Sequence, residues 1–395
     1  MSIFERKGLL GWLALFLVGL TAYFGFDRLA SNTIEIDYSQ SSTKGSVADA
    51  LTTAEPAYDP ASMIEIEGSS PVSHAGSPAV NTSNGKILSI DYPIVQTFNN
   101  CPAGGLAITL SYYGIVRTQK QLADELRPNW NLNGKNDDKS TPPERVAEGS
   151  KKYGLIPYYR ANGSIELLKK LIANDTPILM RTRLNMHEDY HHYRVVKGYD
   201  DATKEIIQDD SYDGPNIRFK YSDFLKLWKV YNYEYLVLAT PLNKAAIEKI
   251  LAAELDPMVA WKNAAARAEG ELARNPTDNA ARFNLAVSLY YAEDYTGAVA
   301  EFEKVESSLS RYALWFRIEP IKAYFELKND ARVFSLADKI FAAGNLGYSE
   351  LYLLRGQTYL RAGQRDLARS DFERAVFYNK NLKGAQEALA SLKAE

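Results

Sequence analysis

Two stretches of this 395-residue chain carry the same pattern of small and large apolar residues, 70 positions apart. Ala286 answers to Gly356, Ala298 to Ala368, and Phe302 to Phe372. Small residues at one set of positions and an aromatic at another are what two helices need to pack closely side by side. The offset is two periods of a helical unit of about 34 residues, so a degenerate copy is expected between them, around 312–343. No strand signal appears from Lys244 onward. The pattern therefore predicts an all-helical region over 242–395, a stack of helix pairs whose concave face holds peptides or partner proteins. A plain helical bundle is the competing reading.

At the other end, Leu9 to Phe26 runs eighteen residues without a charge, long enough to cross a bilayer as a helix. This predicts a transmembrane signal-anchor over 9–26. Arg6 and Lys7 precede it, which places residues 1–8 in the cytoplasm and the bulk of the chain outside it, periplasmic or at the cell surface if bacterial. A cleaved export signal is the alternative, with Leu29-Ala30-Ser31 as a poor cleavage site. Residues 27–85 are mostly Ser, Thr, Ala, Pro, Asn and Gly and cannot bury a core, so they read as a flexible linker.

The formal charge of −3 argues against nucleic acid as a partner. Cys101 is the single cysteine, which rules out an internal disulfide and a Cys-rich metal site. The histidines are His74, His187, His191 and His192. No cofactor and no metal are expected, although His187, His191 and His192 with Glu188 or Asp189 form a minor metal-binding alternative.

Residues 86–241 read as an α+β domain. A short strand is expected from Lys86. Helices follow at about 102–113, 118–126, 142–153 and 164–173, then strand-like runs at 176–183, 192–199, 205–209 and 233–239, joined in an antiparallel sheet.

Chemistry is sought first at Cys101. Pro102 stands at a helix's first position and Gly114 just past its end, so Cys101 is placed as the cap of that helix. The dipole and orphan amides there favour a thiolate. His192 opens a strand, and the next strand ends in Asp209-Asp210. With a turn around 200–204, pairing brings His192 toward Asp210 or the residues just after it and turns Asp209 to the other side. An imidazole held by a carboxylate is the proton shuttle a thiolate needs. A buried, inert Cys101 is the bland alternative.

These residues resemble the papain-like bacteriocin-processing (double-glycine leader) peptidases, cysteine peptidase family thirty-nine, and especially their stand-alone branch. The likeness covers roughly 86–240 and rests on Gln96 ahead of Cys101, the Tyr112-Tyr113-Gly114 helix end, the His192 strand running into Gly198-Tyr199-Asp200, and Asp210-Ser211-Tyr212. Pro102-Ala103 stands where that family has Gly-Pro. The resemblance implies Cys101 as nucleophile, His192 as general base and acid, Asp210 as orienting carboxylate and Gln96 as oxyanion donor. It assigns Trp228 no catalytic role. The C-terminal pattern resembles tetratricopeptide repeats.

Together these imply a membrane-anchored, extracytoplasmic cysteine peptidase acting on a peptide or protein, with the repeats recruiting a protein partner. Two alternatives stay open: an inactive peptidase-fold scaffold, and a transglutaminase-like acyl transferase that resolves the thioester with an amine.

Overall fold

The computed structural model of the chain describes residues 80–394, apart from 83, 98, 130–140 and 189. All of them lie in one compact unit, 71–395.

An eight-stranded sheet is the frame. Its strands are β1 (Val80–Thr82), β2 (Gly85–Ile87), β3 (Ile156–Arg160), β4 (Ile178–Arg183), β5 (His191–Asp200), β6 (Glu205–Asp210), β7 (Gly214–Lys220) and β8 (Tyr235–Ala239). They run β1-β2-β5-β4-β8-β3, with β6 on β5 and β7 on β6. Every pairing is antiparallel. β8 reads Tyr-Leu-Val-Leu-Ala and is buried at every position, as a central strand covered on both faces must be. β3 pairs only with β8, and that edge position is what allows Pro157 inside it. Strand pairing begins at Val80, inside the stretch expected to be linker, whereas residues 88–97 form no strand.

Helices cover both faces. α1 (Cys101–Tyr112) packs on Leu179, Tyr193, Val195, Leu236 and Leu238, together with α2 (Gln119–Leu126) and α3 (Pro143–Ser150). On the other face α4 (Ile165–Ala173) and α5 (Tyr221–Lys229) bring Leu168, Leu171, Phe224 and Trp228 against Ile178, Met180 and Val196. Burying these two layers supplies the main driving force, about 25 cal/mol per Å² of apolar surface.

The remainder is helical: α6 (Lys244–Leu251), α7 (Pro257–Arg274), α8 (Asn279–Tyr291), α9 (Tyr295–Val305), the short α10 (Ala313–Phe316), α11 (Glu319–Glu326), α12 (Asp330–Ala342), α13 (Ser349–Arg361), α14 (Arg365–Tyr378) and α15 (Lys383–Ala394). Asp278, Asp294 and Asn329 cap α8, α9 and α12 by accepting backbone N–H bonds. Ala286, Ala298, Phe302, Ala368 and Phe372 are fully buried. Gly356 packs so tightly on Phe372 that an added Cβ would lie 2.6 Å from the ring. α11 and α12 occupy the stretch between the two matching copies.

Helices and sheet share a continuous interior, for Ala161 lies in the same apolar cluster as Trp261, Phe283 and Trp315. Asn284 Nδ2 donates to the Lys229 carbonyl (2.6 Å), and Asn381 Nδ2 to that of Glu125 (2.9 Å). Arg145 of α3 pairs with Glu350 of α13.

The fold is thus α+β with helices appended, but the membrane-spanning part of the expectation is corrected. No helix among the described residues is long and apolar enough to cross a membrane. The longest, α7, has 18 residues and carries Lys262, Arg267, Glu269, Glu271 and Arg274, so it has one apolar face rather than an apolar girth. The stretch 9–26 lies outside the described residues, and a single-pass membrane, extracytoplasmic placement is not carried forward.

Candidate active site

α1 starts one residue earlier than expected. Asn100 is its cap, Cys101 its first residue and Pro102 its second. The N–H that Pro102 lacks belongs to the first turn, where it has no intrahelical acceptor in any case. Asn100 is buried and braced: its Nδ2 donates to Thr97 Oγ1 (2.7 Å), and its Oδ1 accepts from Arg127 Nη1 (2.7 Å). Gly104 and Gly105 would each weaken a helix by about 1 kcal/mol relative to alanine. Close packing explains both, because an added Cβ would sit 2.6 Å from Ser211 Oγ at Gly104 and 2.7 Å from Leu179 Cδ1 at Gly105.

The β5–β6 hairpin supplies the partners. Its register sets Arg194 opposite Asp210 and Asp200 opposite Glu205. His192 therefore lies two residues along β5 from the pair and on the same face. Its Nε2 is 2.7 Å from Asp210 Oδ1. Burial alone would lower the imidazole pKa, but the bond to Asp210, the Cys101 thiol and the charges behind them push it up to about 9. Asp209 turns away and pairs with Lys197 at 2.6 Å.

Asp210 is held on every side. Oδ1 also accepts from the Tyr212 and Asp213 amides (2.6 and 3.2 Å), and Oδ2 accepts from Arg194 Nε (2.6 Å). Burial would raise its pKa, yet His192, Arg194 and the Tyr212 amide together bring it down to about 2. Arg194 is itself fixed by Thr182 Oγ1 and the carbonyls of Arg183 and Leu184 (2.9, 2.9 and 2.7 Å).

Gln96 joins from the loop before α1. Its amide N–H donates to the Ser211 carbonyl (2.7 Å), and Ser211 Oγ donates to Gln96 Oε1 (2.8 Å). With Oε1 occupied, the NH₂ end is left for an acceptor. Ser211 touches Gly104, one turn beyond Cys101. All four expected residues are accordingly brought to one place.

The histidine cluster is not brought together. His187 is exposed, while His191 is half-buried with its ring 3.9 Å from that of Phe316 in α10. Burial and the Arg181 charge hold the His191 pKa well below the usual imidazole value. Among the described residues no group of three or more His, Cys, Asp or Glu side chains is placed to hold a metal ion. Arg194 and Ser211 were not anticipated. Arg194 was discoverable, since a cation two residues from His192 in a strand must share its face.

The fold thus sets a helix-borne thiol beside an imidazole on an antiparallel strand and a carboxylate on the next. Residues 88–236, 149 of the 395 residues, match the model of the Peptidase_C39 like family. Among solved structures, the chain is similar to one described as a C39-like peptidase from Bacillus anthracis, at 16% identity and a TM-score of 0.34 over 39% of this chain and 97% of that one. It is also similar to a double glycine motif protease from an AMS/PCAT transporter in complex with the leader peptide, at 17% identity and a TM-score of 0.27 over 41% and 95%. A search of the curated proteins gave no match.

Proposed function

We propose that this chain is a cysteine peptidase that hydrolyses a peptide or related amide bond. The observation that carries this reading is the single imidazole of His192, hydrogen-bonded to Asp210 and near enough to Cys101 for the thiol to raise its pKa.

In this reading Cys101 Sγ attacks the carbonyl carbon while its proton resides on His192 Nδ1, the ring nitrogen that Asp210 does not engage. The Gln96 amide and the Cys101 N–H stabilise the oxyanion. The C–N bond then breaks as His192 gives its proton to the departing amine, leaving a thioester on Cys101. Water, deprotonated by His192, attacks the thioester and releases the acid and the thiol. Asp210 fixes the ring and balances its charge throughout. The helix pairs over 242–395, read as tetratricopeptide-type repeats, present a protein partner or the substrate itself.

The test is alkylation of Cys101 as a function of pH in the wild-type chain, His192→Ala and Asp210→Asn, each first shown to be folded. Fast labelling well below the ordinary thiol pKa of about 8.5 that is lost in His192→Ala supports an activated pair. Slow labelling with an ordinary profile, unaltered by His192→Ala, would replace the catalytic reading with a binding scaffold. Product formation that depends on an added amine would replace hydrolysis with acyl transfer.

A further inference from the structure

We infer that the cavity where the sheet meets the helical part is a binding site for a small carboxylate with a short apolar body. This cavity has a volume of about 150 Å³ and lies beside the β4 end. Arg183, Arg317, Asn279 and Ser310 form its polar wall, and Phe283 and Phe316 its apolar one. Both charged residues among those lining it are arginines, and none is a carboxylate.

Arg317 makes the case. It is 2% exposed, yet only Nη1 is engaged, donating to the Val230 carbonyl (2.7 Å) and Asn284 Oδ1 (2.9 Å). Its Nε and Nη2 are buried with no hydrogen-bond partner. Unpaired donors on a buried cation are costly to maintain, and a guanidinium edge with two free N–H groups matches the two oxygens of a carboxylate. The plane is held in place by Phe283, whose ring centroid is 4.9 Å from Arg317 Cζ. Glu234, the nearby buried carboxylate, is already taken by Arg181 through Nη2 and Nε (2.6 and 3.1 Å). Arg317 reaches Glu234 only through its charge, and its Nε and Nη2 are left for an occupant.

Size and lining set the rest of the ligand. A cavity of roughly 150 Å³ accepts a group about as large as benzene, so the carboxylate and side chain of a ligand enter while the rest of it stays at the open mouth. The two phenylalanines favour an aliphatic group such as a leucine side chain. The site also adjoins the proposed catalytic strand. Phe316, part of the wall, stacks on His191, and Arg183 is paired with His191 across β4 and β5. An occupant therefore presses on the residue next to His192. Its binding does not depend on the peptidase reading.

The experiment is calorimetric titration of the full chain with N-acetyl-leucine, N-acetyl-leucinamide, inorganic phosphate and the tripeptide Ala-Ala-Leu. Expected is binding of the free acid roughly tenfold or more above that of the amide, since the amide leaves the buried guanidinium unpaired. Arg317→Lys weakens it by a similar factor. Ala313→Trp, which puts bulk into the cavity from α10 and leaves Arg317 in the chain, abolishes it and keeps the test decisive if Arg317→Lys fails to fold. Tighter binding of Ala-Ala-Leu assigns the site to a peptide C-terminus, and equal binding assigns it to a free acid. Equal affinity for acid and amide, binding unaffected by Ala313→Trp, phosphate binding without acid binding, or no binding of the acid at all would each overturn the assignment.

Discussion

β5 presents two adjacent histidines to two different surroundings. On one side His192 meets a carboxylate and a thiol, and its pKa rises to about 9. On the other, His191 meets Phe316 and the field of Arg181, and its pKa falls well below the ordinary value. The His192 ring is buried and the His191 ring half-buried, and both lose hydration. Burial thus acts in the same direction on each, and the partner decides the charge state. One side can carry a proton, whereas the other is a neutral packing element that couples the sheet to the helices.

The largest effect expected from disturbing this contrast is on turnover. His192→Ala lowers kcat against an identified substrate by about a thousandfold or more, in the range found when a catalytic acid–base is removed. Stopped-flow alkylation and turnover should fall together, and loss of one alone would break the link between them.

Next comes stability. Arg194→Met leaves the buried Asp210 without its guanidinium and is expected to cost about 3–5 kcal/mol in denaturant unfolding. A cost below about 1 kcal/mol, the value of a surface pair, would show that Asp210 is less dependent on Arg194 than the geometry implies.

Third is the titration of His192. Asp210→Asn moves the imidazole midpoint down from about 9, which NMR of the ring protons would report. The sign for the wild type follows from linkage. The raised His192 pKa gives stability that is full below the unfolded value and is lost as pH rises through about 9. The lowered Asp210 pKa gives stability present above its unfolded value and lost as pH falls through about 2.

The smallest effect belongs to the other ring. His191→Phe keeps the stack on Phe316, so alkylation of Cys101 should stay within about twofold of wild type and the His192 midpoint should not move. A larger change would mean that the packing side communicates with the reactive one.

How much of this was readable beforehand depended on where a residue sits in the sheet. The turn after Asp200 was enough to bring His192 toward the end of β6, but a bulge between Val196 and Gly198, which no sequence pattern announces, is what puts Asp210 rather than Asp209 on the His192 face. Pro102 and Gly114 bounded α1, although the cap proved to be Asn100. The edge strands were harder to find. β3 contains Pro157, and β7 begins Gly214-Pro215 and is largely solvated, so neither shows the buried run that marks β4 and β8. Lys86 continues for only two residues as a strand, because the chain beyond Ile87 leaves β5 to reach Cys101. The seventy-residue offset located helix pairs but carried no information on what they dock against. That depends on single polar anchors such as Asn284 and Asn381, which have no periodicity to betray them.

Those anchors bear on how the chain can be divided. A cut at the sequence-defined boundary after residue 241 would strip Ala161 and Tyr159 of their apolar cover and leave the Val230 carbonyl without its Arg317 donor. Proteolysis of the native protein should accordingly not release a stable sheet fragment. Heat should melt sheet and helices in one calorimetric transition, with amides of β8 and α8 exchanging at the same global rate.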